Sequence, residues 1–368
     1  MKNNLLFISL LSCLAGQTNI YNLYKIPSFG YNTFSLSGED LLHMEKQGES
    51  STYTFNLSGS YSSFKQSPLS TLSYGLVPRI KTSKELSDTT SSTEIKFNIP
   101  FKGSQYFTNN YIGPHVFYDG SFALSVKNDQ TTNPLDLFLG FGYGRITSAR
   151  PLAQAVVISE ELGANLNNDQ LITVADIIGK SSSGYYTYKY KTDASIHYYN
   201  DLAEATGSGQ KIMKMQQILS NPAYANISDR FTGAQVRIGF ENTFLQDSTS
   251  AGNLIIDFQY AKPLGMKKQL YSGLAYNTPL DEGIETTAKA FVRYATDHTF
   301  TWTSRVDAVV DMIMPDGGKA YSLLDLKLST TRVIINTLTA TGELNLIKSG
   351  ENNDPFISVN VRFTYFVF

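Results

Sequence analysis

Cysteine and charged residues are both scarce in this 368-residue chain: it contains one cysteine, and Asp, Glu, Lys and Arg together make up 17% of it. A single cysteine cannot form a disulfide within the chain, so no disulfide framework holds the fold together. The formal net charge is only −2, and a chain without a basic excess cannot neutralise a row of phosphates. We therefore expect no nucleic acid among its partners.

Long apolar runs are scarce as well. The one apolar run near the start, Leu5 to Leu14, follows Lys2 and precedes two small residues. A positive start, an apolar core and small residues before the cut are the parts of an export signal. We predict a signal peptide over residues 1–16 and a mature start near Gln17. Beyond it no apolar run reaches the roughly 18 residues that a membrane-spanning helix needs, so the chain could span a membrane only as a closed barrel.

The only cysteine, Cys13, lies inside this first segment. The sequence Leu10-Leu11-Ser12-Cys13 also resembles a lipoprotein processing box, in which the cysteine would carry the lipid. The sequence leaves this alternative open. In either case the mature chain would contain no disulfide.

Apolar and polar residues alternate through most of the chain. The run from Tyr53 to Tyr61, for example, alternates Tyr, Phe and Leu with Thr, Asn and Ser. Further runs lie at 72–76, 95–101, 116–126, 137–143, 236–240, 254–260, 270–276, 288–294, 300–310, 324–328, 334–346 and 357–367. Many of them approach the length at which a tilted strand crosses a bilayer, which is longer than strands of soluble sheets. They predict about thirteen transmembrane strands.

One segment, residues 147–230, departs from this alternation. Pro151 at the start of one apolar stretch and Gly163 at its end are typical of a helix, and Gly179 follows a second stretch. Helices are predicted at 151–162, 169–178, 191–205 and 210–219. The predicted organisation is a signal peptide at 1–16, an N-terminal part of the barrel at 17–146, a helical insert at 147–230 and a C-terminal part of the barrel at 231–368.

The sides of the loops follow from a count back from the C-terminus, because bacterial barrels have even strand numbers and both termini in the periplasm. The loops predicted outside are 245–252, 278–284, 313–319 and 348–355. The turns predicted in the periplasm are 262–268, 295–298 and a tight turn near Thr330 and Thr331. The count also places the helical insert in the periplasm. It requires one more strand before Ser51, for which Gly30–Ser37 is the candidate, and the total becomes about fourteen.

The end of the chain, Phe356 to Phe368, resembles the terminal strand of Gram-negative outer-membrane β-barrel proteins, which alternates apolar residues and ends in Phe. The resemblance implies capture by the barrel-assembly machinery through Tyr365, Phe366 and Phe368. It also implies an all-β fold, a transmembrane antiparallel up-and-down barrel of about 12–14 strands. Phe366 and Phe368 are in phase with the polar residues of the strand, so its register stays open. More loosely, Phe141-Gly-Tyr-Gly-Arg-Ile146 followed by helices resembles barrels of Bacteroidetes.

Residues typical of enzyme chemistry are sparse. The four histidines, His43, His115, His197 and His298, are scattered without the spacing that puts two on one helix or strand face. The sequence also lacks a Gly-x-Ser-x-Gly elbow and a Gly-rich phosphate loop with its lysine. We therefore expect no enzyme activity, no metal site and no cofactor.

Charged residues within the alternating runs are the candidates for a functional surface. A charge on the lipid face would cost roughly 2–4 kcal/mol at the midplane, so these residues should point inward. The candidate pore-lining residues are Glu94, Lys96, Arg237, Asp257, Lys289, Arg293, Arg305, Asp307, Asp325, Lys327 and Arg362. They fit either a mutually paired, plugged interior or a water-filled pore with a modest basic excess.

Two functions from different classes follow. The first is a porin-like channel or passive transporter for small polar or anionic solutes in the outer membrane, with the periplasmic helices as plug, gate or docking site. The second is a non-conducting structural or assembly barrel whose helices at 147–230 dock a periplasmic protein. Outer-membrane lipid and the barrel-assembly machinery are expected partners in both cases.

Overall fold

A computed structural model describes residues 20–24, 28–38, 42–47, 50–85, 91–107, 116–128, 134–207, 209–219, 230–244, 252–280, 285–299, 301–315, 319–335, 338–349 and 356–366. The predicted signal peptide, Cys13 and Phe368 lie outside these residues.

The described strands form one antiparallel sheet in which consecutive strands of the chain pair with one another from the second strand to the last. Its strands are β1 (Phe29–Gly38), β2 (Leu42–Gln47), β3 (Ser50–Gln66), β4 (Ser70–Glu85), β5 (Ser91–Tyr106), β6 (Val116–Lys127), β7 (Leu135–Ser148), β8 (Phe231–Phe244), β9 (Asn253–Pro263), β10 (Lys268–Pro279), β11 (Thr286–Thr299), β12 (Trp302–Met314), β13 (Tyr321–Ile335), β14 (Leu338–Ser349) and β15 (Phe356–Phe366).

The sheet closes into a barrel of fourteen strand positions. β1 and β2 pair with successive parts of the same edge of β3, so these two segments together occupy one position. β1 also pairs with β15, over four residue pairs from Ser35–Phe366 to Gly38–Phe363, and this seam joins the two ends of the sheet. The predicted up-and-down barrel is confirmed, and β1 is the additional strand that the parity count required at Gly30–Ser37.

The last strand keeps a regular register. Tyr365 lies opposite both Leu36 and Leu338, and Phe366 follows it opposite Ser35. No register shift interrupts these described pairs.

Two predicted turns are wrong in position. Thr330 and Thr331 lie inside β13, which continues to Ile335; likewise residues 295–298 belong to β11, which ends at Thr299. The reason is cross-strand bonding between threonine hydroxyls and their neighbours. The Oγ1 atoms of Thr331 and Thr341 lie 2.9 Å apart, so this pair extends the ladder where no apolar residue indicates a strand. The predicted run at 334–346 therefore covers the end of β13 and the first part of β14.

The helices are α1 (Ile20–Leu23), α2 (Arg150–Leu162), α3 (Asn168–Ser182), α4 (Tyr185–Tyr190), α5 (Ala194–Thr206) and α6 (Ile212–Leu219), with 3₁₀ turns at Lys191–Asp193 and Gly209–Lys211. Gly163 ends α2 with a φ of 61°, as predicted. The predicted end at Gly179 is wrong, because α3 continues through this buried glycine to Ser182. The predicted helix at 191–205 begins with a 3₁₀ turn, and α5 itself starts at Ala194. None of the described helices is both long and apolar enough to cross a lipid bilayer.

The helices share an apolar core at one end of the barrel. Leu152, Val174, Leu202 and Met215, from α2, α3, α5 and α6, are fully buried in it. Phe29 at the start of β1 belongs to the same cluster, so the core is continuous with the rim of the barrel. β1 begins and β15 ends at this rim, which agrees with the predicted placement of the helices on the side of both termini.

The core reaches across the barrel mouth. On one side, the Arg150 guanidinium lies 3.8 Å above the Tyr31 ring of β1. On the other, Lys267 in the turn between β9 and β10 forms a 2.8 Å ion pair with Glu160 of α2. Because these contacts are made at separate parts of the rim, the helices form a cap over the mouth. We call α1 to α6 the cap.

Candidate functional site: the barrel interior and its cap

The outer face of the barrel is apolar and exposed. On β8, Val236, Ile238 and Phe240 are 41, 50 and 43% exposed, and the residues between them are less exposed. The same alternation recurs on β7, where Leu139 and Phe141 are 61 and 66% exposed. A soluble protein would bury these side chains, whereas a barrel in a bilayer offers them to lipid.

All eleven candidate residues from the sequence lie on the opposite, inner face. The strand register shows this directly, since Arg293 is opposite Asp307, which in turn is opposite Lys327. Eight of the eleven form ion pairs: Glu94, Arg237, Asp257, Lys289, Arg293, Asp307, Lys327 and Arg362. Among the described residues Lys96, Arg305 and Asp325 form none. The inner wall is therefore charged and largely paired.

Arg237 on β8 is the centre of the strongest interior network. Its guanidinium contacts Asp257 on β9 at 2.8 Å and Asp119 on β6 at 3.0 Å, and both carboxylates are almost fully buried. The contact with Asp119 passes over β7 at the inward positions of Gly140 and Gly142. A Cβ at Gly140 would stand 3.0 Å from Asp119 Oδ1, and one at Gly142 would overlap the Phe117 ring. The glycines make room for the network.

Four further ion pairs line the wall from β11 to β15. Arg293 and Asp307 are 2.6 Å apart, and Lys289 and Asp311 are 3.5 Å apart. Glu343 receives Lys327 at 2.8 Å and Arg362 at 3.8 Å. Of these side chains Arg293 is 45% and Lys289 52% exposed, so solvent reaches this side of the interior.

Sequence reasoning missed four partners of these pairs: Asp119, Lys127, Asp311 and Glu343. Their inward phase is visible in the sequence, because each alternates with apolar or small residues. What the sequence does not contain is the register that brings Asp119 to Arg237, 118 positions away. A rule that counted every charged residue of inward phase would have found all four. Among the described residues no group of three His, Cys, Asp or Glu side chains is arranged to hold a metal ion.

Two glutamine side chains hold the chain where it leaves and re-enters the barrel. Gln66 of β3 donates to the Ser148 carbonyl at 3.3 Å and accepts from its N–H at 3.1 Å. Gln269 of β10 bonds Phe231 in the same way, with both distances 3.0 Å. At these points the described pairings of β7 with β6 and of β8 with β9 have already ended, at Tyr143 and at Gly233. The side chains thus replace the missing strand hydrogen bonds, which buried backbone groups require. We call these contacts the glutamine clamps.

Two buried arginines stabilise the rim where the chain leaves and re-enters the barrel. Arg230, 1% exposed, forms an ion pair with Asp297 on β11 and donates to the Met266 carbonyl at 3.3 Å. Arg145 on β7 stacks 4.1 Å from the Tyr106 ring and donates to the carbonyls of Ser67 and Pro68 in the turn between β3 and β4. Polar contacts therefore hold the rim on both sides of the segment that forms the cap.

Ionisable tyrosines within the cap are held neutral. Burial raises the pKa of Tyr21 to about 12, although nearby Arg230 opposes the shift. Burial also raises the pKa of Tyr186, and the hydrogen bond that its hydroxyl donates to Asp201 at 2.5 Å adds to this. Both groups stabilise the cap in their protonated form.

No known protein family and no curated protein matches the sequence. Among solved structures the chain is similar to CdiB from Escherichia coli, with a TM-score of 0.44, 7% identity, and coverage of 93% of this chain and 63% of CdiB. It is also similar to OpdQ from Pseudomonas aeruginosa, with a TM-score of 0.33 and 7% identity. The match covers 92% of this chain and 98% of OpdQ. A third similar structure is the outer membrane protein Omp33 from Acinetobacter baumannii, with a TM-score of 0.33 and 8% identity. The match covers 92% of this chain and 99% of Omp33. The chain thus spans less than two thirds of CdiB.

Similarities at this level of identity do not indicate a function. The class of the protein follows from its own fold. The strands pair in a ring, and an apolar outer face around a charged inner face suits lipid outside and water inside. These are the properties of a transmembrane β-barrel of the Gram-negative outer membrane.

Proposed function

We propose that the protein is an outer-membrane channel for small polar or anionic solutes. The observation that supports this most directly is the solvent exposure of charged residues on the inner face, such as Lys289 and Arg293. If the interior were packed solid, these side chains would be buried. The candidate pore-lining residues of the sequence are, in this proposal, the walls of the passage.

The cap narrows this passage at the periplasmic mouth. Its attachment through the glutamine clamps and Arg230 favours a fixed constriction over a freely swinging plug. Solutes would then pass beside the helices, past the exposed charges of β11 to β15. The outer face takes up outer-membrane lipid, and capture of Tyr365, Phe366 and Phe368 by the assembly machinery precedes insertion.

Conductance across planar lipid bilayers tests the proposal. We expect the purified full-length protein to give discrete conductance steps. A variant in which a Gly-Asn linker joins Ile146 directly to Phe231 should give larger steps, because the constriction is removed. Altered migration of unboiled samples on gels serves as the control that each protein forms a closed barrel. Properly folded full-length and shortened proteins that both fail to conduct would contradict the proposal.

One observation favours the alternative, a non-conducting barrel whose cap docks a periplasmic protein. The cap exposes large side chains away from the barrel: Tyr188 is 90%, Ile196 59% and Met213 77% exposed. Surfaces of this kind are used for protein contacts. Absence of conductance, together with binding of a periplasmic protein that is lost when Tyr188, Ile196 and Met213 are replaced by Ser, would favour this alternative.

A further inference from the structure

Opposite charges face one another across neighbouring strands at five described pairs of positions on the inner face. The facing pairs are Lys81–Glu94, Arg237–Asp257, Lys289–Asp311, Arg293–Asp307 and Asp307–Lys327. One row is different. Arg79 on β4 lies opposite Lys96 on β5, and Lys96 lies opposite Lys127 on β6. We call Arg79, Lys96 and Lys127 the basic row.

Like charges in directly opposed positions destabilise a sheet, so this arrangement has a cost. Its surroundings offset only part of the charge. Glu94 forms a 3.3 Å ion pair with Lys127, and Arg79 donates through Nε to the neutral Oδ1 of Asn56 at 3.0 Å. No hydrogen bond or ion pair reaches Lys96 from the residues that the structure describes. Among the described residues, Lys81 and the three members of the row stand beside one carboxylate, that of Glu94.

The geometry of the row fits a compact anion with several charges. Neighbouring strands lie about 4.8 Å apart, so the outer two members of the row are separated by roughly 10 Å at the backbone. Long basic side chains from such positions can converge on one group between them. The guanidinium of Arg79 offers two parallel N–H donors to a pair of oxygens, and each lysine adds a point charge.

The row stands at the end of the barrel opposite the cap. Lys127 is the last residue of β6, and Lys96 lies near the start of β5. Arg79 and Lys96 are both solvent-exposed on the inner face. A solute that enters from outside would meet the row before it reaches the paired interior.

We infer that the basic row is a binding site for multiply charged oxyanions of the phosphate and sulfate type, including phosphomonoesters. The inference rests on the proposed channel only for the route by which the anion arrives. Binding replaces repulsion among three cations by their attraction to a shared anion.

Thermal unfolding of the detergent-solubilised barrel, read from its migration on gels, tests the inference without any need for transport. At constant ionic strength, phosphate and sulfate should raise the midpoint of the wild type, and chloride should not, because a ligand that binds the folded state stabilises it. Lys96→Gln should have a higher midpoint than the wild type in chloride, since repulsion is relieved. Its half-saturating phosphate concentration should rise about tenfold or more, the effect of losing a charged hydrogen bond.

Lys289→Gln is the matched control, because Lys289 is also an inward lysine but faces Asp311. Its midpoint in chloride should fall, and its phosphate response should match the wild type. Equal phosphate responses in Lys96→Gln and wild type would overturn the inference, since phosphate would then act only as a general stabilising salt. Bilayer recordings separate this outcome from the channel itself. A wild type that does not conduct but shows the Lys96-dependent shift contradicts the channel and retains the site.

Discussion

Replacing Gln269 by leucine tests how firmly the cap is joined to the barrel. Gln269 is 4% exposed, and its amide bonds both the N–H and the C=O of Phe231. Leucine fills a similar volume and offers no polar atom, so both backbone groups lose their partner. A lost hydrogen bond costs about 0.5–1.5 kcal/mol, and a buried group left without one costs about 1–3 kcal/mol. Because Phe231 is only half-buried and water can replace part of the bonding, we expect a total of about 2–4 kcal/mol.

The loss falls at one place, where the chain returns from the cap to β8, so it should appear as local opening. Backbone hydrogen exchange measures this opening. A change of about 2–4 kcal/mol corresponds to exchange faster by roughly thirtyfold to several hundredfold at the start of β8. The remaining strands should exchange as in the wild type, and the unboiled protein should still migrate as a closed barrel.

Gln235→Leu is the matched control. Gln235 is also an inward glutamine of this region, but it donates to the side chain of Gln259 at 3.3 Å and to no described backbone group. Its replacement should change exchange near Phe231 by much less. If both variants exchange alike, the glutamine clamps do not secure the cap, and the argument for a fixed constriction fails.

Three further predictions concern charge, topology and pH. Replacing Arg293 and Arg305 by Glu should shift the reversal potential toward cation preference, because fixed charge in a lumen sets the local counter-ion concentration; an unchanged potential would favour a plugged interior. A cysteine at Lys180 should resist impermeant thiol reagents on intact cells, and efficient labelling would place the cap outside. Since the pKa of Tyr21 is raised to about 12, its contribution to stability is complete below about pH 10, its usual pKa, and is lost as the pH rises through about 12. Circular dichroism should therefore show alkaline loosening of the cap that is weaker in Tyr21→Phe.

The strands could be predicted because their cause is local. A bilayer outside and water inside impose a period of two, and the run from Tyr53 to Tyr61 shows it without reference to any other residue. The start of α2 near Pro151 and its end at Gly163 could be predicted for the same reason, because each is set by a residue at that position. The predicted helix end at Gly179 was wrong because burial within the cap outweighs the helix-ending tendency of glycine. The predicted turn near Thr330 was wrong because the residues that pair with Thr330 lie in other strands.

The functional contacts depend on register, which the sequence does not display. The inward phase of Arg237 could be predicted from its apolar neighbours. Its ion pair with Asp119 could not, because it depends on the order and register of β6, β7 and β8 in the sheet. The basic row was visible only in part for the same reason. Lys96 was a candidate, whereas its repulsive neighbours Arg79 and Lys127 acquire meaning only from their facing positions.

The short seam between β1 and β15 makes the barrel mechanically uneven. Four residue pairs join these strands, whereas β12 and β13 share twelve. When the C-terminus is pulled, the rupture force depends on how many ladder hydrogen bonds carry the load together. The first rip in a single-molecule extraction should therefore be the weakest and should detach β15 from β1. Each later rip would remove a hairpin that is held along a full-length strand edge. The number of residue pairs at each strand edge therefore determines the order in which the strands unfold.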